Sequence, residues 1–126
     1  MTNIVRRLVI AAAMLASGLM HAYLYVHGYQ HIPVVGMGFL VQASVFCAVA
    51  VLLAVGAPQW FAWVSGLMSA GALAAFGLSR TVGLFGFVEK GLEPVPYALL
   101  SVVTEVVVVV TVAVTVVAQM RAVRAQ

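Results

Sequence analysis

The chain has 126 residues, 65% of them hydrophobic and 7% charged, with a formal net charge of +3. Soluble domains carry about 25% charged residues, so this composition excludes a water-soluble globular protein and leaves one compact integral membrane unit, residues 1–126. The basic residues gather near the termini (Arg6, Arg7, Arg121, Arg124) and not along one face, which excludes nucleic acid as a partner.

In chain order, Arg6-Arg7 and the apolar run from Leu8 have the outline of a secretory leader, with Ala16-Ser17-Gly18 as its cleavage site. The run continues through Leu24 to Val26, beyond the roughly 7–15 residues of a leader's apolar core, so it is read as a first transmembrane helix over residues 6–26. A polar connector, His27 to Pro33, precedes a second helix over 34–55, which stops at the breaker cluster Gly56-Ala57-Pro58. The third helix covers 59–80. It opens with the interfacial pair Trp60 and Trp63 and is rich in small residues, with Gly66/Ala70 and Gly71/Ala75 spaced for close helix approach. A glycine- and phenylalanine-rich loop, Gly83 to Pro94, suits a re-entrant or interface-lying lid, and Gly83 or Gly86 is expected to take positive φ. The fourth helix covers 96–118. Its Val106–Val110 run suggests a strand in water, but a bilayer obliges a single span to satisfy its own backbone, so it is read as helix.

The expected fold is an all-α integral membrane four-helix bundle, multi-pass in the cell membrane, with the lipid bilayer as its obligatory partner. Arginine tails against only Arg80 and Lys90 elsewhere place both termini in the cytoplasm and the histidine connector and the 79–94 loop outside. Cys47 has no partner for an internal disulfide and is read as a small buried hydrophobe.

Charge is expensive in such a setting, so the ionisable residues between Ser79 and Glu105 mark a site or a structural pair. Counting ~1.5 Å per helical residue from the outer face, Gln42 and Glu105 lie roughly 13 Å deep and His21 roughly 9 Å. Three helices thus bring a polar side chain to one layer. Tyr97, Ser101, Thr104, Glu105, Thr111, Thr115 and Gln119 form a polar stripe that should face the bundle interior, and Ser17, His21 and Tyr25 share a face of the first helix. The candidate binding residues are His21, Gln42, Arg80 and Glu105, with Tyr25, Ser69, Tyr97 and Ser101 as a secondary set. His21 is the expected first partner of Glu105 and Arg80 the second, with Arg80 holding the outer edge. His27 and His31 could hold a metal only if their segment is helical, and Gly28 and Pro33 argue for a loop, so no metal site is assigned. No Walker, HExxH or GxSxG motif is present and the sequence specifies no cofactor.

Ser79-Arg80-Thr81-Val82-Gly83-Leu84, Gly86-Phe87, Glu93-Pro94, Ser101 and Glu105 resemble a recurring group of small four-span bacterial membrane proteins that often carry a histidine near the end of the first span, as His21 is here. Phe85 stands where that group's pattern has a proline. The resemblance implies the architecture and marks Arg80 and Glu105; it implies no reaction. Small multidrug exporters place their carboxylate in the first span, where this chain has His21, and the motifs of fluoride channels are missing. Three readings remain: a module binding or transporting a small polar solute, ion or lipid head group; an accessory subunit of a homo-oligomer or larger membrane complex, with the polar layer as glue; and, weakest, an enzyme or a haem or metal redox protein built on His21.

Overall fold

In a computed structural model, which describes residues 3–126, the chain is all-helical. Its helices are α1 (Asn3–Val26), α2 (Val35–Ala54), α3 (Trp60–Ser79) and α4 (Tyr97–Arg124), with one 3₁₀ turn at Tyr29–His31. Each of the four is long and apolar enough to cross a membrane. Twenty residues rise ~30 Å, the thickness of the hydrocarbon core, so α2 and α3 match it and α1 and α4 overshoot. The predicted bounds agree within a residue except at the two tails. Helix α1 starts earlier, at Asn3, and α4 runs six residues past its expected end at 118, through the exposed segment 119–124. That segment contains no glycine or proline, and Arg121 and Arg124 complement the partial negative charge of the helix C-terminus.

Consecutive helices run antiparallel, so the 27–34 and 80–96 connectors share one end of the bundle, here the lid end. The 55–59 turn and both tails share the other. Helix α1 is the centre of the packing, lying along both α2 and α4, and α3 is held mainly by α4. Helices α2 and α3 are neighbours in sequence but barely touch. The helices therefore form an open arc, α2–α1–α4–α3, with a seam where the ends of the arc face each other.

Close approach within the arc rests on glycines, because lipid supplies no hydrophobic drive to press helices together. A Cβ on Gly18 of α1 would sit 2.7 Å from Cys47 Sγ and 3.2 Å from the Ala43 carbonyl oxygen of α2. One on Gly66 of α3 would sit 2.8 Å from a Val112 methyl of α4. The dry core lies in the tail half and includes Ile10, Met14, Phe46, Leu53 and Val108. The lid half is polar inside.

At the lid end the connector 27–34 is not an α-helix, so His27 and His31 do not form a helical i, i+4 pair. The His27 ring stacks on Tyr23 at 3.9 Å and its Nδ1 donates to the Tyr23 carbonyl at 2.8 Å. Val34 closes the connector in a γ-turn with φ 65°, ψ −51°, the Val35 N–H reaching the Pro33 carbonyl at 2.7 Å. This is a strained backbone for a β-branched residue. Gly83 and Gly86 both have positive φ, 95° and 81°. Phe85 joins them at φ 50°, and reciprocal hydrogen bonds link Leu84 and Phe87. Two consecutive positive φ values inside such a pair make a two-residue hairpin of the primed type. A proline, fixed near φ −65°, cannot stand at position 85 of this turn.

Candidate functional site

Glu105 lies on α4 one turn beyond Ser101, facing α1 and α2, and is only 2% exposed. One carboxylate oxygen, Oε1, accepts from Ser17 Oγ, Gln42 Nε2 and Ser101 Oγ, each at 3.0 Å. Three helices thus converge on a single atom. His21 Nε2 stands 4.0 Å from the same oxygen, too far for a hydrogen bond, which corrects the expectation that His21 is the first partner. Its ring is fixed from the other side, where Nδ1 lies 2.9 Å from the Ser17 carbonyl oxygen, and it leans on Phe39 with centroids 4.8 Å apart. A carbonyl only accepts, so Nδ1 carries a proton, and when the ring is neutral Nε2 is an acceptor.

The second oxygen of Glu105, Oε2, makes no hydrogen bond among the described residues. Glu105 lines a chamber of about 80 Å³ in the lid half, walled by all four helices and roofed by Tyr29, Leu84, Phe87 and Pro94. That volume holds a few waters or a head group of similar size. His21 and Gln42 also line it. Since Gln42 turns its amide nitrogen to Glu105, its amide oxygen has no hydrogen bond among the described residues. Glu105 Oε2, Gln42 Oε1 and His21 Nε2 therefore give the chamber floor an excess of acceptors.

Arg80 caps α3 at the chamber rim but does not reach Glu105, which corrects the expectation that it is the second partner. Its Nε donates to the Gly91 carbonyl at 2.9 Å, one Nη to Ser79 Oγ at 2.7 Å and the other to the Glu93 carbonyl, while Glu89 lies 3.8 Å away and the Phe76 ring 4.2 Å beneath. The guanidinium sews the lid to the end of α3. This is the edge-holding role expected of it, and it is achieved through loop carbonyls. Tyr29 donates its hydroxyl to Glu89 and stacks on Phe39 at 4.6 Å, which ties the 27–34 connector to the same lid. Burial, reinforced by the Glu89 carboxylate, pushes the Tyr29 phenol pKa up.

Of the secondary residues, Ser101 is in the site. Ser69 is buried beneath it, its hydroxyl 3.5 Å from Met14 Sδ. Tyr97 is half-buried and packs on Tyr23 at 4.2 Å, away from the chamber wall. Tyr25 is half-buried and also lies outside that wall. Along the α4 stripe, Ser101, Glu105, Thr111 and Thr115 are buried as expected, whereas Gln119 is exposed. Ser17 was legible only as a neighbour of His21 on one helix face, and it proves to donate directly to Glu105. Tyr29 and Phe39 had no signal beyond aromatic residues near a loop, whereas Phe87 and Glu89 were legible as parts of the lid but not as partners of Tyr29.

Searches among protein-family models, curated proteins and solved structures find no match to this chain.

Proposed function

We propose that the chain binds, and through that binding carries, a small polar solute, ion or lipid head group at the Glu105 chamber, with the lid end on the outer face of a bacterial cell membrane. The observation that carries this reading is the buried carboxylate with one oxygen saturated and the other left open toward a cavity. An arrangement serving only as glue between helices has no need of a second carboxylate oxygen left without a partner among the described residues. The tails carry Arg6, Arg7, Arg121 and Arg124, which supports the cytoplasmic placement of the termini.

A module of this kind should take ligands that donate hydrogen bonds, because the floor offers acceptors. In phosphatidylcholine nanodiscs, ethylammonium chloride should raise the thermal midpoint of the wild type relative to sodium chloride and leave Glu105→Gln unmoved. Equal behaviour of the two proteins would count against the reading. Impermeant thiol labelling of a cysteine at position 30 or 90, in a chain lacking Cys47, should succeed from outside intact cells; labelling from the inside alone reverses the orientation.

The exposed face of α3 supports a second reading, an accessory subunit docking another helix there. A Cβ on Gly71 or Gly77 would meet nothing within 4 Å. Co-purification of a stoichiometric membrane partner, lost when Gly71 is enlarged, would favour it.

A further inference from the structure

The seam between α2 and α3 is an apolar groove whose one polar wall residue is Gln42, and its lining includes Val41, Val45, Met68 and Gly71. Gln42, Ala72 and Ala75 line both this groove and the Glu105 chamber. The two spaces therefore share a wall, and the residue at the junction is the one that holds Glu105. Nothing seals the groove along its length: α2 and α3 barely touch, and a Cβ on Gly38 or Gly71 would meet no atom within 4 Å. The chamber is small and mostly apolar, with Glu105, Gln42 and His21 at its floor and Arg80, already committed to the loop carbonyls, at its rim; the groove is long, open and apolar.

We infer that the ligand is a single-chain amphiphile with a hydrogen-donating head, an ammonium or hydroxyl group, which enters sideways from the bilayer between α2 and α3. Its chain lies in the groove and its head reaches Glu105 Oε2, Gln42 Oε1 and His21 Nε2. This deepens the reading of the Glu105 chamber as a binding site and rests on it. The head chemistry follows from the acceptors. A head that only accepts, such as an ester, would leave those three atoms and itself unsatisfied in a poorly hydrated space. The lateral route follows from the roof, where Arg80 and Tyr29 tie the lid down by hydrogen bonds while the seam carries no bond across it among the described residues. A chain already dissolved in lipid arrives at the groove without crossing water.

The test uses the full chain in phosphatidylcholine nanodiscs and electron paramagnetic resonance of two probes, doxyl-labelled stearylamine and the methyl ester of doxyl-stearate. The amine should show a motionally restricted component with the wild type, reduced at least twofold by Glu105→Gln and by Gly71→Phe, a substitution in the groove at a position that does not line the chamber. The ester should give the same weak component with all three proteins. Ethylammonium should still raise the thermal midpoint of Gly71→Phe, showing that the chamber is intact. An amine component unchanged by Gly71→Phe, or equal to that of the ester, overturns the lateral amphiphile while an ethylammonium response keeps the chamber reading alive. Loss of both responses in the wild type overturns both. Dipolar broadening between spin labels at position 71 of separate chains would show a second copy in the seam and likewise overturn the proposal.

Discussion

Helix α2 meets its two neighbours in opposite ways. Toward α1 it presents Ala43 and Cys47 to Gly18 at a distance that leaves no room for a methyl group. Toward α3 it presents Gly38, Val41 and Val45 to a groove, and a Cβ added at Gly38 would meet no atom within 4 Å. The same contrast divides the glycines of α3, since Gly66 is pressed on Val112 and Gly71 faces open space five residues later. Small residues permit close packing but do not compel it; what fills the space opposite decides their role. Here the closed seams hold the arc together and the open one leads to the polar chamber.

Glycine substitutions give the largest expected break in that comparison. Gly18→Ala and Gly66→Ala should each destabilise the bundle by about 1–3 kcal/mol, and Gly36→Ala should fall at the upper end, because its methyl would collide with the Tyr29 carbonyl, which is backbone. Gly38→Ala and Gly71→Ala should be neutral or stabilising by up to about 1 kcal/mol through helix propensity. Unfolding equilibria in mixed micelles measure all five, and a similar cost on both seams would erase the distinction.

The lid offers the next effect. Phe85→Pro should cost more than about 1 kcal/mol, since proline cannot adopt the turn's φ, whereas Phe85→Asn or Phe85→Gly should gain up to about 1 kcal/mol. Protease susceptibility of the 81–96 segment reads out both directions. A proline tolerated at 85 would show that the hairpin is not as described.

Within the chamber, Ser17→Ala should cost about 0.6–1.7 kcal/mol, from the mean to the maximum for polar contacts between membrane helices, and Ser101→Ala, whose bond lies within α4, should cost less. Glu105→Gln and His21→Ala should be non-additive in stability or binding because they share one network, and strictly additive effects would separate them. The smallest expected signal is the Tyr29 titration. A phenol pKa raised on folding adds stability that is full below the ordinary value of ~10 and is lost as pH rises toward the folded value. Glu89→Gln should bring the Tyr29 phenolate absorbance to lower pH, though only in part, since burial is the larger cause.

Fold class was legible because a bilayer reduces the problem to counting apolar runs between breakers, and the Gly56-Ala57-Pro58 stop and the four spans follow from that. The inward aim of Glu105 and its partner Gln42 were legible from depth and helical spacing. The open seam was not, since a hydrophobic helix reads the same against lipid and against protein. The partners of Arg80 were hidden for a related reason. Depth set it well above Glu105, at the outer edge, but the carbonyls of Gly91 and Glu93 that hold it there come from a loop whose path has no periodicity to reveal it. Phe85 shows the limit of matching by pattern, because its backbone hand depends on the turn that Gly86 completes.

The open seam itself is tested most directly by a spin label on Gly71→Cys in a Cys47→Ser chain, reconstituted in phosphatidylcholine nanodiscs. A mobile label accessible to molecular oxygen and shielded from a water-soluble nickel relaxant is the result expected of a groove that opens to lipid. An immobilised label inaccessible to both would mean that α2 and α3 close on each other, and the lateral path to Glu105 would not exist.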